Sequence, residues 1–213
     1  MKKLLSLLLL VSISFAASSQ TDTITINHKR YSTTFDRTLH YPVLVKWTIL
    51  KSDIDCTNHI PRDPDMSPDP LLAKFTDLHK YYVKSGYDKG HNMPAADNGC
   101  DKKEMDECFY FSNMTPQTPQ LNRITWENLE VYCRNLAEKY GKINVWCGSF
   151  GDNGKLGIVS IPKYCWKIIR YNGKIEAYLF PNSKDVNKKE FTAYASSVQE
   201  IKKDTGLKLE DVR

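Results

Sequence analysis

His91 is the residue around which chemistry can be organised. It stands in Tyr87-Asp88-Lys89-Gly90-His91-Asn92-Met93-Pro94-Ala95-Ala96-Asp97, where aromatic and charged residues crowd around one imidazole. An imidazole with an ordinary pKa of about 6.5 stays neutral at working pH and still accepts a proton, which suits a general base. Further along, Asn122, Trp126 and Glu130 fall at i, i+4 and i+8. On an ideal helix such a row drifts by about 40° per step, so the three are expected to line one neighbouring face and can present unlike polar groups to a cleft, while the Trp126 indole by itself reads as core rather than as a platform for a base. His28, His40, His59 and His79 lack comparable surroundings and are read as structural.

These groups need elements to hold them. Pro119 to Tyr140 reads as the best helix, with Leu121, Leu129, Tyr132, Cys133, Leu136 and Tyr140 at three- and four-residue steps and Gly141 closing it. Tyr41 to Leu50, YPVLVKWTIL, is β-branched and aromatic and reads as a buried strand. Ile143 to Phe150, Leu156 to Ile161, Tyr164 to Tyr171 and Lys174 to Phe180 are strand-like runs separated by turn signals, of which Asn172-Gly173 is a hairpin signature. Residues 21 to 40 offer at most an edge strand, Phe109 to Phe111 a short buried strand, and Leu71 to Val83 a short helix. Lys188 to Lys203 is expected to be an amphipathic helix carrying Phe191, Ala195 and Val198. The reading is one α+β domain over residues 21 to 213.

With 213 residues, 41% hydrophobic and 26% charged, and with no repeat period, the chain is long enough for a real core and is neither fibrous nor disordered. The one long apolar run, Leu4 to Ala17, follows Lys2 and Lys3 and precedes Ala17-Ser18-Ser19-Gln20, the pattern of a secretory signal peptide over residues 1 to 20. No other segment approaches the roughly 20 apolar residues of a membrane helix, so a secreted or periplasmic protein is expected. Removing residues 1 to 20 takes away two lysines and lowers the net charge from +5 to 28 − 25 = +3, too small an excess to name a partner. All six cysteines lie beyond the leader, where disulfides persist. They allow 15 pairings; Cys100 with Cys108 is the preferred local guess and Cys147 with Cys165 the next, with buried free thiols as the alternative for the latter. No CxxC pair or zinc-finger spacing is present.

The segment Asp88-Lys89-Gly90-His91, then Ser112-Asn113-Met114-Thr115-Pro116-Gln117, then Asn122 with Trp126 through Glu130, closely resembles the DNA/RNA non-specific endonuclease family. Three separate motifs stand in the family's order and at similar spacing. The resemblance is dense over residues 86 to 130 and looser to about residue 185. It implies a ββα-metal core with a central antiparallel sheet flanked by helices, and metal-dependent hydrolysis of phosphodiesters in DNA and also RNA, giving 5′-phosphate ends. His91 then matches the general base, and Asn122 the single protein ligand to magnesium, for which manganese can substitute. A neutral amide suits magnesium, which dehydrates reluctantly and keeps its charge available for the phosphate. Glu130 matches an acid that orients water around the ion. Asn113 matches an asparagine that frames the site, and Asp88, Asp97 and Gln117 are expected to tie its loops together.

Two cations depart from or only loosely follow the pattern. Arg62, in a proline-rich loop, aligns with an upstream family arginine that grips the phosphate. Lys89 replaces the arginine of the family's DRGH, keeping the charge and losing the planar fork. Two other readings stay open at this point: a catalytically weak relative that only binds nucleic acid, and an exported disulfide-rich binding protein.

Overall fold

The computed structural model describes residues 22–57, 61, 65–98 and 101–212. The expected signal peptide, Arg62 and Cys100 lie outside the described residues. Strands β1 (Thr23–Asn27), β2 (Tyr31–Asp36) and β3 (Tyr41–Leu50) lead into helix α1 (Lys51–Thr57). Two short helices, α2 (Ala73–Thr76) and α3 (His79–Tyr82), precede β4 (Asp88–His91); α4 (Lys102–Glu107) precedes β5 (Met114–Gln117). A π-helical turn, Leu121–Trp126, runs into α5 (Glu127–Tyr140). Then follow β6 (Lys142–Phe150), β7 (Lys155–Leu156), β8 (Val159–Ser160), β9 (Tyr164–Tyr171), β10 (Lys174–Pro181), β11 (Ala195–Ser196) and α6 (Val198–Thr205).

Seven strands form one antiparallel sheet in the order β1-β2-β3-β6-β9-β10-β11. Asn172 and Gly173 both take positive φ, +44° and +73°, as the two-residue turn between β9 and β10 requires. One face of the sheet buries Val45, Trp47, Ile49, Val145 and Ile169 against Leu121, Trp126, Leu129, Cys133 and Ala137 of the long helix. The other face packs Trp146, Trp166 and Ile168 against Ile201 of α6. The architecture is α+β with a central antiparallel sheet, as expected. Among the described residues no helix is long and apolar enough to cross a membrane.

Five expectations shift. Residues 21 to 40 hold two strands, because the threonines of β2 hide an alternation in which Tyr31, Thr33 and Phe35 point inward. The strand expected at Phe109 to Phe111 begins at Met114 instead, where it pairs with β4; Phe111–Asn113 is a 3-10 turn. Leu156 to Ile161 is a pair of two-residue strands. The last helix starts only at Val198, because Ser197 accepts a hydrogen bond from the Glu200 N–H and caps it there, while Ala195 and Ser196 pair with β10. Cys108, Cys133, Cys147 and Cys165 are buried free thiols, so neither the Cys100–Cys108 nor the Cys147–Cys165 pairing forms. Burial raises the pKa of all four and keeps them protonated.

Candidate active site

Strands β4 and β5 pair antiparallel, with His91 opposite Met114 and Gly90 opposite Thr115. A Cβ on Gly90 would stand 2.2 Å from Gln117 Oε1, so the glycine makes room for the Gln117 side chain, which lies over this strand. Asn113 is wholly buried and uses its amide three ways. Its Nδ2 donates to the carbonyls of Met93 and Cys108, both at 2.9 Å, and its Oδ1 accepts from the Met93 N–H at 2.9 Å. It therefore frames the site by locking the chain just after His91, away from the cleft itself. Asn92, which the motif reading passed over, does similar work: its Nδ2 donates to Asn113 O and Thr115 Oγ1, each at 3.0 Å.

The π-turn decides which helix residues reach the cleft. An i→i+5 turn takes in one extra residue and rotates everything downstream relative to Asn122. Trp126 is thereby turned into the core, 1% exposed, where its Nε1 donates to the His91 carbonyl at 3.2 Å. The expected row of Asn122, Trp126 and Glu130 is broken at its middle member. Asn122 and Glu130 do line a common cleft of about 270 Å³ with His91, Pro94, Arg123, Glu127 and Arg134. Lys89 shares the strand face of His91 by the two-residue period of β4 but is not among the cleft's lining residues.

Polar contacts orient the cleft groups. Asn122 Nδ2 donates to Asp88 Oδ2 at 3.0 Å, which leaves its Oδ1 to face a ligand. Arg123 clasps the same carboxylate with two bonds of 2.7 Å. Partial burial pushes the Asp88 carboxyl up, but the bonds from Arg123 and Asn122 outweigh it and hold the group below its ordinary value. Glu130 is pushed up to about 7 by burial, with Asp97 and Glu127 adding to the effect and Lys167 and Arg134 opposing it. Asp97 is also raised by burial, against the pull of Arg134, whose Nη1 donates to it at 3.2 Å, and of Trp47 Nε1, which donates at 3.0 Å. The His91 ring meets Phe109 edge-on, with centroids 5.1 Å apart.

The donor set fits a hard cation with few protein ligands. One oriented amide oxygen, from Asn122, and the carboxyl groups of Glu127 and Glu130 line the cleft, and no cluster of three or more His, Cys, Asp or Glu suited to a metal occurs among the described residues. Sequence reasoning missed Arg134, Glu127 and Lys167. The signals were there: Arg134 stands four residues after Glu130 and seven after Glu127, and Lys167 interrupts the apolar run of β9.

A two-stranded β4–β5 unit feeding a helix, with a histidine on the strand and an amide on the helix, defines a ββα-type site. The chain belongs to the DNA/RNA non-specific endonuclease family, whose model matches residues 11–212. A nuclease of Nostoc sp. is 37% identical over 140 residues, covering 59% of this chain and 51% of the relative. The mitochondrial nuclease of Saccharomyces cerevisiae is 29% identical over 182 residues, covering 73% and 54% respectively. Among solved structures, a chain of the EndoG/EndoGI complex, which concerns EndoG inhibition, superposes with a TM-score of 0.79 at 25% identity, over 88% of this chain and 85% of that one. The chain spans about half the length of the curated relatives it matches first.

Proposed function

We propose that the protein is an exported, magnesium-dependent endonuclease that hydrolyses phosphodiesters of DNA and RNA to leave 5′-phosphates, with manganese as an alternative ion. The observation that carries this reading is the meeting of His91, Asn122 and Glu130 in one cleft. When bound, the ion offsets the negative charge that develops on the phosphate. His91 takes the proton of the water that attacks phosphorus. Asn122 presents Oδ1 to the ion, because Asp88 holds its other amide atom. Glu130 orients water beside it. Lys89 and Arg62 supply cationic contacts to the phosphate, and Asn113 keeps His91 in register. Sequence supports export through the leader at residues 1 to 20.

The test is incubation of the purified mature protein with plasmid and with RNA, in magnesium, manganese or EDTA. Cleavage of both substrates abolished by EDTA is expected; retardation without cleavage would select the binding-only reading. Asn122→Ala should lose magnesium-dependent turnover while the melting temperature holds, because the apolar face of the helix is untouched. Unchanged activity across a magnesium titration would remove Asn122 from the site.

A further inference from the structure

We propose that Lys167 is a positioning residue of this site: its buried ammonium steadies the Glu130 carboxylate at the cleft and, through the Trp126 indole, the main chain of His91. The proposal rests on the nuclease reading above. Lys167 lies on β9 with no exposed surface, and its Nζ has no hydrogen-bond partner among the described residues. The charge is met in other ways. Nζ lies 4.1 Å from the ring centroid of Trp126, 5.6 Å from that of Trp47, and 4.0 Å from Glu130 Oε1. Both indoles then send their N–H groups to the site: Trp126 to the His91 carbonyl, and Trp47 to Asp97, which holds Arg134.

A lone buried ammonium costs several kcal/mol, and an apolar residue of similar size often serves stability as well or better. Retention of the charge is therefore explained by what faces it. Glu130 and Arg134 face it from α5 and Asp97 from the loop after β4, while the nearby thiols of Cys133 and Cys147 are protonated. The separation of 4.0 Å matters. A direct hydrogen bond would take an acceptor site from Glu130, whereas an ammonium at 4.0 Å attracts the carboxyl group without taking one. Cation–π contact with two rings fixes the ammonium without using any acceptor of the site.

The experiment compares Lys167→Met, Glu130→Gln and the double variant. Lys167→Met is expected to lower turnover by about 10- to 100-fold, the range for groups that orient a site's own ligands. In the Glu130→Gln background the same change is expected to cost less than about twofold, since coupled residues do not add. Equal losses in both backgrounds would overturn the proposal in favour of general damage. Independently of activity, the Glu130 carboxyl carbon, followed by NMR in metal-free protein, should titrate at higher pH in Lys167→Met; an unmoved midpoint also overturns it. Should Lys167→Met not fold, the parent still decides. Its ring-shifted Lys167 side-chain resonance should step as Glu130 ionises and lose that step in Glu130→Gln, and a resonance flat with pH in the parent refutes the coupling. Absence of EDTA-sensitive cleavage in the parent would instead sink the nuclease reading, while the NMR coupling could still be measured.

Discussion

The seven-stranded sheet and the β4–β5 unit with its helix are held together by different means. The sheet is fixed by backbone ladders and period-two burial, as along Val45, Trp47 and Ile49 of β3, and many apolar side chains could fill those places. The β4–β5 unit has strands of only four residues and rests on particular polar side chains. Asn113, Asn92 and Asp88 each hold two or more groups, and Trp126 ties the helix to the His91 carbonyl. The difference teaches where substitutions act: changes in the sheet should cost stability, and changes at the cleft should cost chemistry.

The widest separation of the two is expected at His91. His91→Ala leaves the helix, the Asn113 bonds and the sheet intact but removes the proton acceptor, so turnover should fall by about 10² to 10⁴ with the melting temperature nearly unchanged. In the parent, the rate should fall on acidification, as imidazolium cannot accept a proton. A variant with near-parent turnover, or a parent rate flat from about pH 5 to 8, the window of an ordinary histidine, would break the assignment.

Two glycines sharpen the contrast from the stability side. A Cβ at Gly148, in the middle of β6, would lie 2.0 Å from the Val43 carbonyl oxygen, so the ladder itself would have to move. At Gly90 the colliding atoms belong to the Gln117 side chain, which can shift. Gly148→Ala should lose about 3 kcal/mol in urea unfolding and Gly90→Ala about 1 kcal/mol, both in the range of overpacked interiors. The reverse order would show the β4–β5 unit to be the stiffer of the two.

The same contrast explains what could be read from the sequence. Regular strands announce themselves: YPVLVKWTIL and the Asn172-Gly173 turn lie where expected, since alternation and left-handed turn residues are local signals. The site was legible through its motifs, which place His91, Asn122 and Glu130 together in the cleft. What escaped was long-range or irregular. The π-turn at Leu121–Trp126 carries no sequence period of its own, so Asn122, Trp126 and Glu130 read as one unbroken row, although the Trp126 indole by its type reads as core, where it lies. Lys167 meets Glu130 only because β9 passes beneath α5, a contact that joins residues 37 positions apart. The cysteine pairing failed for a similar reason, because closeness in sequence said nothing about burial of the Cys108 thiol.

Glu130 allows a test at the boundary between the two regions. An ordinary glutamate titrates at about 4.5, and burial lifts this one to about 7. Between those values the folded state keeps a proton that the unfolded chain has released, so this group lowers stability as pH rises through the window. Glu130→Gln cannot ionise. In metal-free protein the variant should therefore lose about 2 kcal/mol less stability than the parent between pH 5 and pH 8. The difference between the two pH values carries the result, because any constant effect of leaving Lys167 beside an amide cancels. Parallel stability curves would show that Glu130 is not raised.

The smallest expected effect is at Lys89. Lys89 stands opposite Pro116 in the β4–β5 ladder and shares a strand face with His91, so its charge is carried on the same short, side-chain-dependent unit as the proposed base. Proline has no N–H to give, so the ladder at this position is already incomplete and places little demand on residue 89. Arginine can take the same strand position and adds a planar fork able to meet two phosphate oxygens at once, which lysine cannot. Lys89→Arg should thus keep or raise turnover and leave the unfolding midpoint within experimental scatter. A salt titration of nucleic-acid affinity should keep nearly the same slope, since the number of cations is unchanged. A loss beyond about tenfold in a folded variant, roughly 1.4 kcal/mol of barrier, would show that the neighbourhood of residue 89 is shaped for lysine, and that the β4–β5 unit is as selective at its charges as it is at His91.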